Sequence, residues 1–249
     1  MTIAASDRAK RAVARAAARL VVDGTVLGLG SGTTAAYLVE ALAVRMRDEK
    51  LRIRGVPTSR RTEEIARRLD IPIVDLSRDT RIDLAIDGAD EIELGSLALI
   101  KGLGGALLRE KIVAAAAARF VVIADDSKLV ERLGMRSPLP VEVISFGHDV
   151  TAGYLEELGG APILRRKTDG APFVSDGGNL IYDCAGFAPI EDPRALEERL
   201  ASVVGIIESG LFIAMAAEAL VADAEEHVRH LTPLNIETTT APAVRTQDR

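Results

Sequence analysis

The chain has 249 residues, a formal net charge of −6, 48% hydrophobic and 27% charged residues, which fits a globular protein with room for a large core. That acidic balance, with only 3% aromatic residues and no Trp, argues against a nucleic-acid partner, which calls for a basic field or stacking rings. A lone cysteine, Cys184, excludes an internal disulfide framework and a cysteine-based zinc site, and no stretch reads as a membrane span or signal peptide, so a cytoplasmic protein without a membrane partner is expected.

In chain order, Ser6 or Asp7 can cap a first helix over 9–21, where Val13, Ala16, Ala17 and Leu20 recur at helical spacing and Asp23-Gly24 ends the run. Residues 25–29 form a short buried strand entering the turn Gly28-Leu29-Gly30-Ser31-Gly32-Thr33-Thr34. A helix over 35–46 follows, with Leu38, Leu42 and Met46 on one face. Strand, glycine turn and helix in succession leave unpaired backbone N–H groups at the positive end of a helix dipole, where a phosphate can sit. Thr33 breaks the G-x-G-x-x-G dinucleotide fingerprint, and no Gly-Lys-Ser/Thr follows to make a nucleotide P-loop. On this turn alone, a tight strand-to-helix connection with a Ser/Thr cap remains the alternative.

The alternation continues with a strand over 53–56, a helix over 61–69, a strand over 71–76, and a strand over 82–86 that feeds Asp87-Gly88-Ala89-Asp90. Residues 97–100 enter a lysine–glycine turn, Lys101-Gly102-Leu103-Gly104-Gly105. A helix over 106–118 and a strand over 120–124 then end at Asp125-Asp126-Ser127-Lys128. Strands alternating with helices predict an α/β fold with a Rossmann-like, mostly parallel sheet and helices on both faces. Ligands of such sheets bind at the carboxyl ends of the strands, so the glycine turn, Asp87, Asp90, Lys101 and Lys128 should share one edge. Composition changes near Pro138. A strand over 140–144, a helix over 151–158, a strand over 162–166, a hairpin over 173–182 turning at 176–179, a helix over 193–203 and a strand over 204–207 predict a smaller inserted α+β domain. The expected division is 1–137 with 208–235 as the catalytic domain, 138–207 as the small domain, and 236–249 as a disordered tail.

The charged groups concentrate between Asp87 and Lys111, where a buried strand and turn are predicted. Asp87, Asp90 and Glu91 follow the apolar strand, which puts carboxylates at the mouth of the sheet; a turn or cap role is the alternative for the first two. Glu110 has Ala106, Leu107, Val113 and Ala114 as its helical neighbours, so nothing on its own helix offers it a cation. A carboxylate in such surroundings suits proton transfer near neutral pH. Alternatively, Lys101 or Lys128 neutralises it from another element. Lys101 can donate to an oxygen that becomes negative during reaction, and Lys128 can pair with a phosphate or carboxylate. His148 falls in a loop and His227 and His230 read as surface residues, with no cluster to complete a metal site. A phosphate-binding turn, a base and an oxyanion lysine together suit proton abstraction next to a carbonyl in a small phosphorylated sugar.

The segments GLGSGTTAAYLVEAL, DGADEI, IKGLGGALLREKIVA, ADDSKLV, PLPVEV, SDGGNLIYDC and the GLF near 211 resemble, in order, the type A ribose-5-phosphate isomerases. The resemblance implies interconversion of ribose 5-phosphate and ribulose 5-phosphate through an enediolate, in the pentose phosphate pathway, with neither metal nor organic cofactor. It implies Ser31, Gly32, Thr33 and Thr34 as a phosphate loop. It further implies Asp87, Gly88, Ala89 and Asp90 as an acidic substrate segment, with Asp87 assisting ring opening. Lys101, Gly102, Leu103 and Gly104 would form a second substrate turn, with Lys101 on the oxyanion, Glu110 the base and Lys128 a further substrate contact. Leu103 stands where many members have glycine. A homodimer or homotetramer is implied, with the small domain as its interface. A sugar-phosphate sensor of transcription regulators is the alternative of another class, but six residues ahead of the first predicted helix leave no room for a DNA-binding helix-turn-helix. An amino-sugar phosphate deaminase or acyl-CoA transferase on the same scaffold is a third reading, against which the joint DGADE and KGxGGALLREK motifs weigh.

Overall fold

The computed structural model describes residues 3–234, so the tail expected over 236–249 lies outside the described residues. A central six-stranded sheet takes β1 (Val26–Leu29), β2 (Arg54–Pro57), β3 (Leu84–Asp87), β6 (Phe120–Asp125), β13 (Glu218–Ala222) and β14 (Val228–Leu231). Its order is β14-β13-β6-β3-β1-β2, parallel throughout except for β14, which returns antiparallel along β13. Register is set by pairs such as Leu27 with Gly55 and with Leu84, and Ile86 with Val121.

Both faces of this sheet are covered, which is why its strands read as continuous apolar runs. On one face α1 (Ile3–Ala18) and α2 (Gly32–Asp48) pack Ala9, Val13, Ala17, Leu38 and Leu42 against Leu27, Leu29, Ile86, Ile123 and Leu220. On the other, Val113 and Ala114 of α4 (Leu107–Ala116), together with Phe212, meet Val26, Ala85, Val122 and Val221. Side chains alternate between faces along each strand, so neighbours such as Val26 and Leu27 enter different cores. The helix α3 (Arg60–Arg68) follows β2, and Ser59 caps it by accepting from the Thr62 N–H at 3.1 Å.

Among the described residues, two smaller sheets accompany the central one. One joins β4 (Glu91–Glu93), β5 (Leu99–Ile100), β7 (Leu129–Val130) and β12 (Leu211–Phe212) in the order β12-β5-β4-β7. The other is antiparallel, β11-β8-β10-β9, built from β8 (Leu139–Val143), β9 (Pro162–Leu164), β10 (Leu180–Cys184) and β11 (Ile206–Ser209) with α5 (His148–Glu157) and α6 (Pro193–Ala201). Ile100 and Leu211 of the first share a core with Val141 and Tyr182 of the second and with Leu155 of α5 and Leu200 of α6, so the two sheets pack as one body.

Several expectations need correction. The first helix starts at Ile3, so Ser6 and Asp7 lie inside it rather than capping it. Their side chains have tertiary partners instead: Ser6 donates to Asp125 at 3.3 Å, and Asp7 accepts from the Tyr37 hydroxyl. Residues 71–76 form no strand beyond one bridge from Ile73 to Gly55, because Pro72 has no N–H to continue a ladder. The hairpin over 173–182 has its turn, with Ser175 N–H donating to Asn179 O at 2.9 Å, yet its first arm makes only the bridge Val174–Leu180. His148 begins α5, and its Nδ1 lies 2.6 Å from the Tyr182 hydroxyl.

Candidate active site

The site assembles from the ends of β1, β3 and β6, and from the turn between β5 and α4. After β1 the chain turns at Gly30, whose N–H donates to Ile86 O at 3.0 Å. A Cβ at Gly30 would stand 2.3 Å from Asp87 Oδ1, so only glycine lets this turn lie against β3. Ser31 is the N-cap of α2, and Gly32, at φ +84°, opens the helix. The first-turn N–H groups of α2 therefore point out at the dipole's positive end.

Asp87 ends β3 and is 3% exposed. Its Oδ1 accepts from the N–H of Ser31 at 2.9 Å and of Gly88 at 2.7 Å. Its Oδ2 faces Lys101 Nζ at 3.1 Å. Asp90 Oδ2 accepts from the Leu103 N–H at 2.9 Å, joining the acidic segment to the lysine–glycine turn. Glu91 turns away from the other two acids: fully buried, it accepts from the N–H groups of Gly134, Arg136 and Ser137, each at 2.6 Å. It fastens the loop after β7 and takes no part in the cavity.

Lys101, 2% exposed, leaves β5, so it comes from the second sheet and not from the edge of the central one. Its ammonium donates to Gly88 O and lies 3.4 Å from Glu110 Oε2 as well as beside Asp87. Phe212 closes the other side, its ring centroid 5.5 Å from Nζ. Gly102, at φ +103°, then turns the chain into α4. Glu110 sits on the buried face of α4 with Leu107 and Val113 and is 5% exposed. Its Oε1 accepts from the Ser31 hydroxyl. The partners that its own helix lacks thus come from two other elements.

One lysine faces two carboxylates here, and burial sharpens the imbalance. Burial is the main cause that pushes Asp87 up to about 7; the Glu110 charge adds to it, while Lys101 and the Ser31 N–H pull the other way. Asp90 is also raised by burial, against the N–H of Leu103 and the charge of Lys101. Burial alone would depress Lys101, but Asp87, then Glu110 and Asp90, outweigh it and hold the ammonium above its ordinary value. Asp87 and Glu110 thus share one ammonium, with the carboxyl of Asp87 held well above the usual carboxylate range.

A cavity of about 210 Å³ opens onto this cluster. Ser31, Gly32, Thr33 and Thr34 line it, as do Gly88, Ala89, Asp90, Lys101, Gly102, Gly104, Glu110 and Lys128. Asp87 lies behind the wall, and Leu103, 40% exposed, offers its N–H to Asp90 without lining the cavity. Lys128 arrives on the short turn after β6, which Asp125 caps by accepting from the Ser127 N–H at 3.1 Å. Lys10 of α1 also lines the cavity. Sequence reasoning missed it, because on an alanine-rich helix it carries no motif, and only the packing of α1 beside β6 brings it here. Among the described residues, no group of three or more His, Cys, Asp or Glu is placed to hold a metal ion.

The family model for ribose 5-phosphate isomerase A (phosphoriboisomerase A) matches residues 54–226. Ribose-5-phosphate isomerase A of Synechococcus sp. (strain JA-3-3Ab) is 54% identical over 223 residues, covering 90% of this chain and 96% of that protein. The Gluconobacter oxydans enzyme is 54% identical over 222 residues, 88% of this chain and 95% of its own. Among solved structures, ribose 5-phosphate isomerase A of Methanocaldococcus jannaschii superposes with a TM-score of 0.85 at 41% identity, covering 90% of this chain and 97% of that one. A D-ribose-5-phosphate isomerase in complex with phospho-erythronic acid gives 0.85 at 36% identity, with the same coverage of 90% and 97%. With a family model spanning most of the chain and relatives near half identity along nearly all of it, the chain belongs to the ribose 5-phosphate isomerase A family.

Proposed function

We propose that this site interconverts D-ribose 5-phosphate and D-ribulose 5-phosphate by moving a proton between C2 and C1, with Glu110 as the base. The observation that carries the assignment is the buried contact of Glu110 with Lys101 at the wall of a cavity whose other wall is the N-terminus of α2. The phosphate sits against the N–H groups at 32–34, with the Thr33 and Thr34 hydroxyls beside it and Lys10 and Lys128 supplying positive charge. Gly88, Ala89, Asp90, Gly102 and Gly104 line the path of the sugar hydroxyls, and the Leu103 N–H holds Asp90 in place.

Asp87 assists ring opening from behind the cavity wall, through Lys101, which touches it at 3.1 Å and lines the cavity. Glu110 then takes the proton from C2 of the open aldose, and the carbonyl electrons move onto O1. Lys101 meets that developing negative charge in a site nearly closed to water, where a fixed cation is worth far more than in bulk solvent. Glu110 returns the proton to C1 while the O2 hydroxyl proton passes to O1, which leaves the ketose. Every proton is accounted for, and no metal or organic cofactor takes part in these steps.

Residues 138–207 serve as a small domain that joins copies of the chain into a homodimer or homotetramer, and we place the protein in the cytoplasm, which cell fractionation tests. The catalytic assignment is tested by following ribulose 5-phosphate formation by the purified protein. Glu110→Gln should lower turnover by about 10²–10⁴-fold while ribose 5-phosphate still binds. Near-normal turnover in that variant would remove Glu110 from the role of base.

A further inference from the structure

Ser31 is an N-cap serine that does not cap. Its backbone is extended, φ −117° and ψ 171°, as an N-cap requires, yet its hydroxyl makes no hydrogen bond to the first turn of α2. The hydroxyl instead donates across the cavity wall to Glu110 Oε1 on α4, 79 residues away in sequence. Its backbone N–H donates to Asp87 Oδ1 at 2.9 Å. One residue therefore reaches both acids of the cluster, while the N–H groups that a capping serine would occupy stay free for an anion.

The two oxygens of Glu110 have separate partners. Oε1 has the Ser31 hydroxyl, and Oε2 has Lys101 at 3.4 Å. The residues three and four positions away on its helix, Ala106, Leu107, Val113 and Ala114, have no side-chain donor to take the place of either. Lys101 is shared with Asp87 and Gly88 O, so it fixes Glu110 only loosely. Among the described residues, the serine hydroxyl is the one neutral donor in direct contact with the carboxylate.

From this we infer that Ser31 is a positioning residue for Glu110: its hydroxyl aims the base and is not a ligand of the phosphate. The inference rests on the isomerase reading above. Because Ser31 opens the turn on which the phosphate sits, it also ties the placement of that phosphate to the placement of the base, so that an anion bound at α2 steadies the group that moves the proton.

The test uses the full chain, with thermal unfolding midpoints confirming that each variant is folded. Wild-type turnover of ribose 5-phosphate is read first; its absence would defeat the isomerase reading itself. With wild type active, Ser31→Ala should lower kcat by about 10²-fold, the scale of a base displaced by an ångström. KM for ribose 5-phosphate and the inhibition constant of inorganic phosphate should each change by less than about threefold, as expected when only transition-state contacts are lost. Ser31→Thr, which keeps a hydroxyl, should recover most of the loss. In the Glu110→Gln background, Ser31→Ala should cost little more, because the residue acts through Glu110. A rise in KM and in the phosphate inhibition constant with kcat unchanged would assign the hydroxyl to the phosphate, and additive losses with Glu110→Gln would equally overturn the proposal.

Discussion

Asp87 shows how a single residue acquires a chemical role from its surroundings. An aspartate ending a strand titrates near 3.8 in water, but here burial and the neighbouring Glu110 lift it to about 7 despite Lys101. A folded-state value above the unfolded one means that the folded protein holds this proton more tightly. The group therefore favours folding below about pH 4 and loses that contribution as pH rises through about 7. Asp87→Asn keeps an oxygen for the N–H groups of Ser31 and Gly88 but has no proton to lose. Its stability relative to wild type, from urea midpoints, should therefore become steadily more favourable between pH 4 and pH 8. A difference that stays flat over that range would mean Asp87 ionises like an exposed aspartate. Glu91, only four residues on, makes the opposite point. Three N–H donors satisfy it, and it serves as a clamp on the loop at 134–137.

At the scale of elements, the site depends on how α4 is held, because Glu110 and Arg109 share its first turn. Asp176, in the turn of the 173–182 hairpin, accepts from the Arg60 N–H at 2.8 Å and lies 3.6 Å from the Arg109 guanidinium. The hairpin in turn is anchored by buried Glu142, whose Oε1 accepts from Ser175 at 2.6 Å and Asn179 at 2.9 Å. Thus the antiparallel sheet that contains β8 reaches back to the starts of both α3 and α4. Asp176→Ala would leave a first-turn N–H of α3 without its acceptor and should destabilise the fold by about 1 kcal/mol, read from chemical denaturation. Asp176→Asn, which keeps the acceptor and loses the charge, should fall between that variant and wild type. No change in either would make the contact a bystander.

For the whole molecule, the surface of the 138–207 region carries apolar groups that a lone chain would leave in water. Phe146 is 89% and Val204 85% exposed, and Val204 shares a groove with Tyr154 and Leu158. An interface between copies on this region, as proposed above, would cover them. Light scattering should give two or four times the chain mass of 26.5 kDa, and the double substitution Phe146→Asp with Val204→Asp should shift it toward one chain. An unchanged mass in that variant would move the interface elsewhere on the surface.

Much of the molecule was legible in the residues. The parallel sheet followed from apolar runs between helical patterns, because strands buried on both faces must be apolar throughout. The turn at 30–34 and the unpartnered state of Glu110 on its own helix followed from local spacing, since both are properties of neighbours along the chain. Pairing across space was not legible. Nothing local distinguishes Lys101 on a second sheet from a lysine at the edge of the first, or Glu91 the clamp from Asp87 beside Lys101. Lys10 enters the cavity only because α1 packs beside β6, and Ser31 meets Glu110 only because β1 and α4 converge. The sequence by itself determined which groups the chain carries and on what kind of element. Tertiary structure alone decided which of them meet and which are shut away from water, because those contacts join residues of different elements, with spacings that no local pattern fixes.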